Sequence, residues 1–295
     1  LKGKGGIYEI LRQRRAARVS ADALSDKALF TARCAAAGVP AVEVLAFAQA
    51  GRIVGNLSAL PPCDLFFKPN RGTGGRGASR WLYDGAGYVG SDGQRLSAAR
   101  LAEHLCALSH DRPYLVARCV YNHPLIADLS PGALSTVRAL TCLNEHGEPE
   151  LTHAVLRMAR SRAAVVDNFH AGGIAALVDL KTGTLGSATD MGLTAASRWW
   201  DSHPTTGAPI RGRVLPRWPE LREVALRAHR AFADQVAIGW DIALTPDGPV
   251  VIEGNKSPDL DIIQRVGSGP VGNSRLGVLL ARHLEEALAQ RVPPG

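Results

Sequence analysis

The stretch Gly239-Trp-Asp-Ile-Ala-Leu-Thr-Pro-Asp-Gly-Pro-Val-Val-Ile-Glu-Gly-Asn255 constrains the fold more than any other part of the chain. Its two arms are short, apolar and rich in β-branched residues. Between them, Pro246-Asp247-Gly248 supplies a proline that starts a turn and a glycine able to take positive φ. The pattern predicts an antiparallel hairpin. With those three residues as the loop, Thr245 pairs with Pro249, and counting outward sets Asp241 opposite Glu253 on a shared face. Asn255, two residues on, points the same way. Two carboxylates and an amide oxygen suit a hard divalent cation such as magnesium, which takes one or two carboxylates and completes its shell with water and phosphate oxygens. The competing reading is a surface hairpin with solvated polar positions. Both arms are too apolar for strands that face water on both sides.

A chain of 295 residues with 46% apolar residues can form one large domain or two lobes around a sizeable core. No apolar run approaches the roughly 20 residues that span a bilayer, and Leu1-Lys-Gly-Lys-Gly-Gly lacks the apolar segment of a secretory signal. A cytoplasmic protein without membrane partners is expected. The five cysteines are scattered, without Cys-x-x-Cys spacing, so neither a disulfide framework nor a zinc knuckle is indicated. The net charge of +7 is concentrated only at Arg12-Gln-Arg-Arg15 with Arg18, which reads as a solvated helix face. The other arginines lack the aromatic interleaving of a nucleic-acid platform, so phosphates of a nucleotide account for the charge better than DNA or RNA.

On either side of the hairpin, helical patterns cover 22 to 38 (started by Asp22 or Ser25 and ended by Gly38), 97 to 109, 220 to 236 and 276 to 290. Strand patterns cover 42 to 47, 64 to 69, 79 to 82, 114 to 120, 136 to 143, 153 to 158 and 174 to 179. Helices and strands do not alternate regularly, so the fold class expected is α+β rather than one doubly wound sheet. Lys68 closes the second strand and runs into Asn70-Arg-Gly-Thr-Gly-Gly-Arg-Gly77. Bare backbone N–H groups in such a loop can wrap anionic oxygens while the lysine adds a point charge. The spacing is neither that of a Walker loop nor that of a dinucleotide-binding turn. Alone the loop reads as a flexible turn; with Lys68 before it and the acidic trio downstream, it reads as a phosphate site.

Strand-Lys-Pro, a glycine loop, then a distant Asp and Glu-x-Asn-x-Ser-Pro resemble the ATP-grasp superfamily. Ser25-Asp-Lys27, Thr136-Val-Arg138, Val165-Val-Asp-Asn-Phe-His-Ala-Gly-Gly173 and Ile238-Gly-Trp-Asp241 further resemble its sugar-transfer-associated subgroup, related to α-L-glutamate ligases. The resemblance covers roughly residues 22 to 290. It implies two α+β lobes with ATP between them. Residues 1–20 would be a basic helical extension, 21–62 an N-terminal α/β segment, 63–119 the small lobe and 120–292 the large lobe. It implies ATP contacts from Lys27, Lys68, Thr73, Gly74 and Gly75, adenine held by the strand backbone at Leu115, Val116 and Ala117, and magnesium on Asp241, Glu253 and Asn255. Ala117 and Arg118 stand where relatives often carry Gln or Glu. Arg138 and Arg157 would reach the γ phosphate or a reacting carboxylate. D-alanine-D-alanine ligase carries an arginine two residues before its metal Asp; Gly239 stands there in this chain, and the oxyanion role passes to Arg157.

Asp167, Asn168 and His170 lie in a loop dense in side-chain donors and are expected to line the substrate side, against the plain alternative of a turn closed by Gly172-Gly173. The chemistry implied is an ATP-dependent carboxylate-amine ligase that forms an amide through an acyl phosphate, acting on small-molecule substrates such as an amino acid, peptide or sugar acid. The rival readings are a kinase that phosphorylates a hydroxyl and a basic binding module without turnover. A homodimer is the default assembly.

Overall fold

The computed structural model describes residues 4–14, 18–54, 60–72, 75–162, 164, 166–167, 169–192 and 198–289. Three helices open the chain: α1 (Lys4–Arg14), α2 (Arg18–Ser25) and α3 (Lys27–Ala36). The single helix expected over 22 to 38 is broken at Asp26, whose extended backbone (φ −107°, ψ 110°) makes it the N-cap of α3. Its carboxylate accepts from the Ala28 and Leu29 N–H groups. Gly38, at φ +62°, follows the end of α3.

The first sheet contains β1 (Val44–Gln49), β2 (Arg52–Val54), β3 (Leu65–Pro69), β4 (Ser79–Tyr83), β5 (Tyr88–Gly90), β6 (Arg95–Leu96) and β7 (Tyr114–Arg118), with α4 (Ala98–Leu108) between the last two strands. All pairings are antiparallel, in the order β2-β1-β7-β3-β4-β5-β6. Alternation along β3 turns Leu65 and Phe67 into a core with Trp81, Leu101, Leu105 and Val116, and leaves Phe66 and Lys68 on the other face. The expected 21–62 segment is divided between the lobes. Its strands pair into this small-lobe sheet, whereas Leu24, Phe30 and Cys34 of its helices pack in the core of the large lobe.

The second sheet contains β8 (Thr136–Leu143), β9 (Pro149–Met158), β10 (Ile174–Val178), β11 (Leu185–Thr189), β12 (Trp199–Trp200), β13 (Ala237–Thr245) and β14 (Gly248–Asn255), in the order β12-β11-β10-β9-β8-β13-β14. Three helices complete this lobe: α5 (Trp218–Ala231), α6 (Asp261–Val266) and α7 (Arg275–Ala289). Every residue of β8 and β13 is buried, which explains their nearly continuous apolar sequences. One face carries Val137, Ala139, Leu156, Ile238, Trp240 and Ile242 against α5 and α3, where Phe30 stacks on Phe232 at a centroid distance of 5.8 Å and Trp240 meets Phe232 at a tilt, 5.9 Å away. Along part of the other face, Leu140, Cys142, Val155 and Ala237 meet α1, α6 and α7. The same alternation brings Thr136, Arg138, Arg157 and Asp241 to that second face, beyond the apolar cover. Among the described residues, no helix is long and apolar enough to cross a membrane.

The hairpin reaches its expected pairing by a different route. Its turn is one residue shorter than expected, with Thr245 opposite Gly248 and Leu244 opposite Pro249. That register would set Asp241 against Ile252, but a bulge between Ile242 and Asp241 leaves Ile252 unpaired and returns Glu253 to its place opposite Asp241. Gly248 takes φ +136° at the turn, where a side chain would be strained.

Candidate active site

Between the two sheets lies a cavity of about 570 Å³, lined by side chains from both lobes. Phe66, Lys68, Ala117 and Arg118 come from the small-lobe sheet and Val120 from the segment that follows it; Thr136, Arg138, Arg157, Asp241, Glu253 and Asn255 come from the large-lobe sheet. Among the described residues, six basic side chains, Lys27, Lys68, Arg76, Arg118, Arg138 and Arg157, face four carboxylates, Asp167, Asp241, Glu253 and Asp259. The imbalance favours an anionic occupant.

Lys27 begins α3 immediately after the Asp26 cap. Its Nζ donates to the Asn70 carbonyl at 3.2 Å and to that of Gly72 at 3.5 Å, so the lysine also holds the start of the glycine loop. Asn70 Nδ2 donates to Asp26 Oδ2 at 3.0 Å, and Asn70 Oδ1 accepts from the Ala28 N–H at 3.2 Å. These bonds clamp the Asp-Lys motif to the end of β3. Thr73 and Gly74 lie outside the described residues. Gly75 lines the cavity at φ +72°, and a Cβ there would come within 2.9 Å of Val166 Cγ1, so the glycine loop meets the large lobe at this point.

Lys68 is pushed down to about 8 by burial, with Glu253 opposing the shift and Lys27 adding to it. Burial also lowers Lys27. Both ammonium groups would be restored toward ordinary behaviour by a bound polyanion.

The carboxylates are held in different states. Asp241, 2% exposed, accepts from Arg138 Nε at 2.5 Å, Arg138 Nη2 at 3.2 Å and Arg157 Nη2 at 3.0 Å. Burial works to raise its pKa, but Arg138 and Arg157 outweigh it and keep Asp241 far below the usual carboxylate range. Glu253 accepts no hydrogen bond from either arginine among the described residues; burial, and then the neighbouring Asp241 charge, push it up against the pull of Lys68 and Lys27. Asp167 is also raised by burial, against the pull of Arg157 and Thr136. Arg157 is raised, since Asp167, Asp241 and Glu253 together overcome the opposing effect of burial.

The donor set fits a divalent cation. Asp241 and Glu253 face each other across the hairpin, and the buried Nδ2 of Asn255 has no hydrogen-bond partner among the described residues. Turning that amide over presents its oxygen at the same point, giving two carboxylates and a carbonyl oxygen, the hard ligands that magnesium takes.

The three residues expected to hold adenine are placed differently from one another. β7 lies between β1 and β3, so Leu115, Val116 and Ala117 have strand partners on both sides. Leu115 and Val116 are fully buried and do not line the cavity, and only Ala117 reaches it. Free backbone begins after the sheet ends: Arg118 N donates to the Glu43 carbonyl and Cys119 N to that of Asp64, while the Val120 N–H makes no hydrogen bond among the described residues. Arg118 and Val120 line the cavity together with Ala117. Sequence patterning ran the strand on to Val120 and hid this boundary.

Asp167 joins the arginine network, Asn168 lies outside the described residues, and His170 is exposed on the cavity rim with Nε2 3.9 Å from Asp261 Oδ2. Gly239 has no room for a side chain, because a Cβ would meet Pro258 Cβ at 2.7 Å and Arg138 Cδ at 3.4 Å. Arg138, from the neighbouring strand, occupies the space beside it. Arg12, expected on a solvated face, instead donates to the Lys256 carbonyl at 3.1 Å and to Ser257 Oγ at 2.8 Å, bracing the loop that follows Asn255.

The family model described as sugar-transfer associated ATP-grasp matches residues 10–275. Curated proteins yield no match. Among solved structures, D-alanyl-alanine synthetase A from Vibrio cholerae O1 biovar eltor str. N16961 is 10% identical over 90% of this chain and 66% of its own, with a TM-score of 0.52, and shares the fold. D-alanine–D-alanine ligase from Bacillus anthracis is 10% identical over 91% of this chain and 70% of its own, with a TM-score of 0.49. D-cycloserine synthetase DcsG is 15% identical over 92% of this chain and 71% of its own, with a TM-score of 0.47.

Proposed function

The chain belongs to the sugar-transfer associated ATP-grasp family, and from that premise we propose that it is an ATP-dependent carboxylate-amine ligase working through an acyl phosphate. The observation that carries this reading is the cationic floor formed by Arg138 and Arg157. Each spends Nε and Nη2 on protein acceptors, and neither Nη1 makes a hydrogen bond among the described residues. A hydroxyl acceptor needs no such floor, whereas a carboxylate and the acyl phosphate made from it do. This favours a ligase over a kinase.

In this reading Lys27 and Lys68 neutralise the β and γ phosphates, and the glycine loop around Gly75 keeps water from the reacting groups. Backbone beyond β7, at Val120, takes adenine. Magnesium held by Asp241, Glu253 and Asn255 would offset charge on the phosphate oxygens. The substrate carboxylate, oriented by Arg138 and Arg157, attacks the γ phosphorus and ADP leaves. An amine then attacks the acyl carbon, loses a proton and displaces inorganic phosphate. Arg157 faces the oxygen that becomes negative in that second step, the role that Gly239 cannot fill.

A screen of ADP and phosphate release against panels of carboxylates and amines tests the proposal. Phosphate is expected in step with ADP, and hydroxylamine is expected to trap the active carboxylate as a hydroxamate. Lys68→Ala and Glu253→Gln are each expected to abolish release. ADP formed without free phosphate would replace the ligase by a kinase, and turnover surviving in either variant would overturn the site assignment.

A further inference from the structure

Thr136 faces the cavity at the start of β8, directly opposite Arg157 on β9, and is only 4% exposed. Its hydroxyl carries three hydrogen bonds, all to charged groups. Oγ1 accepts from Arg157 Nε at 3.0 Å and from Arg157 Nη2 at 2.5 Å, and donates to Asp167 Oδ2 at 2.6 Å. The same carboxylate oxygen accepts from the Thr136 backbone N–H at 2.8 Å, and Asp167 Oδ1 lies 3.3 Å from Arg157 Nη2.

From this geometry we infer that Thr136, backed by Asp167, is the positioning residue that holds Arg157 with its Nη1 toward the γ phosphate. The inference rests on the ligase reading above, in which Arg157 orients the carboxylate that attacks the γ phosphorus; a guanidinium at that carboxylate also borders the phosphoryl group under attack. An arginine side chain has several rotatable bonds, and on a sheet face it could lie flat on Asp241 or extend into the cavity. Two bonds from adjacent nitrogens to one oxygen fix the plane of the guanidinium, and Asp241 fixes its rotation by accepting from Nη2. Only the third nitrogen is left for a ligand. Threonine suits the position because its hydroxyl accepts from the arginine while donating to Asp167, which valine, its isostere, cannot do.

Asp167 extends the arrangement to the other lobe. Its neighbour Val166 packs where Gly75 leaves no side chain, so one segment touches both the glycine loop and the arginine. The two groups expected on opposite sides of the γ phosphate are thereby joined by adjacent residues. A β-branched residue in a buried strand needs no functional explanation by itself. Such a residue would not be expected to place every hydrogen bond of its hydroxyl on charged side chains.

The test compares two probes, adenylyl-imidodiphosphate and ADP, by calorimetric titration in magnesium with the full chain. Wild-type protein is expected to bind the γ-bearing analogue more tightly than ADP. Thr136→Val is expected to lower the affinity for the analogue by about 10- to 100-fold, the size of a lost hydrogen bond to a charged group, and to leave ADP affinity within about twofold. Thr136→Ser restores the hydroxyl and is expected to recover the preference. If Thr136→Val proves insoluble, Asp167→Asn carries the same expectation. Unchanged discrimination in the valine variant overturns the inference, as does an equal loss for both probes, which would mark a structural role. Failure of wild-type protein to bind either nucleotide overturns the ligase reading itself, and this inference with it.

Discussion

Asp241→Asn and Glu253→Gln each turn one carboxyl group of the same cross-strand pair into an amide, and their effects on folding are expected to differ sharply. Asp241 is 2% exposed and holds Arg138 through both oxygens and Arg157 through one. With asparagine there, two buried guanidinium groups face a neutral amide whose NH2 cannot accept. Breaking a buried ion pair from one side costs about 3–5 kcal/mol. At roughly 2–4 °C per kcal/mol for a domain of this size, Tm falls by about 6–20 °C. Glu253 starts from the opposite state, since burial and then Asp241 raise its pKa and disfavour its charged form. Glutamine keeps its size without that charge, and Tm is expected to stay within about 2 °C of wild type or to rise. Scanning calorimetry, with and without magnesium and ATP, reads both effects. Added nucleotide is expected to stabilise wild type and neither variant. Equal destabilisation by the two substitutions, or a larger loss for Glu253→Gln, would refute the division of labour drawn from the arginine contacts.

Two further outcomes follow from the same cavity. Lys68, pushed down to about 8 by burial, is a cation below that pH and neutral above it. ATP affinity is therefore expected to be steady in mild acid and to fall by up to about tenfold per pH unit above that value. Lys68→Arg, charged throughout, is expected to flatten the profile; a flat wild-type profile measured by titration would contradict the assignment. Gly75→Ala adds a methyl 2.9 Å from Val166 Cγ1 at φ +72°. The left-handed backbone alone costs about 1–2 kcal/mol. Val166→Ala in the same chain relieves the contact but not the backbone strain, so nucleotide affinity is expected to recover in part, and no recovery would argue against that contact between lobes.

Much of the site was readable because strand patterning is local. Period two along Thr136-Val-Arg138 and along Gly239-Trp-Asp241 already sets polar and apolar residues on opposite faces, and the hairpin turn already faces Asp241 with Glu253. Even there, the agreement came from two offsetting departures, a shorter turn and a bulge at Ile252, neither visible in a run of apolar residues. The strand expected to hold adenine was less legible, for a different reason. Leu115 and Val116 look like the rest of their strand, and only pairing by β1 and β3 on both sides removes their backbone from use.

By itself, then, the sequence determined the α+β class, the acidic hairpin, the lysine before the glycine loop and the two arginines, because alternation, turn chemistry and motif order act over a few residues. Tertiary structure alone decided what those groups are to one another. It divided residues 21–62 between lobes, turned Arg12 onto the loop after Asn255, and gave Asp241 hydrogen bonds from two arginines, whereas Glu253 accepts from neither among the described residues. It also made Thr136 the hinge of the Arg157 contacts. Charge and hydrogen bonding depend on distance and burial, and for residues as far apart in the chain as Thr136, Arg157, Asp167 and Asp241 these exist only after the sheets have assembled.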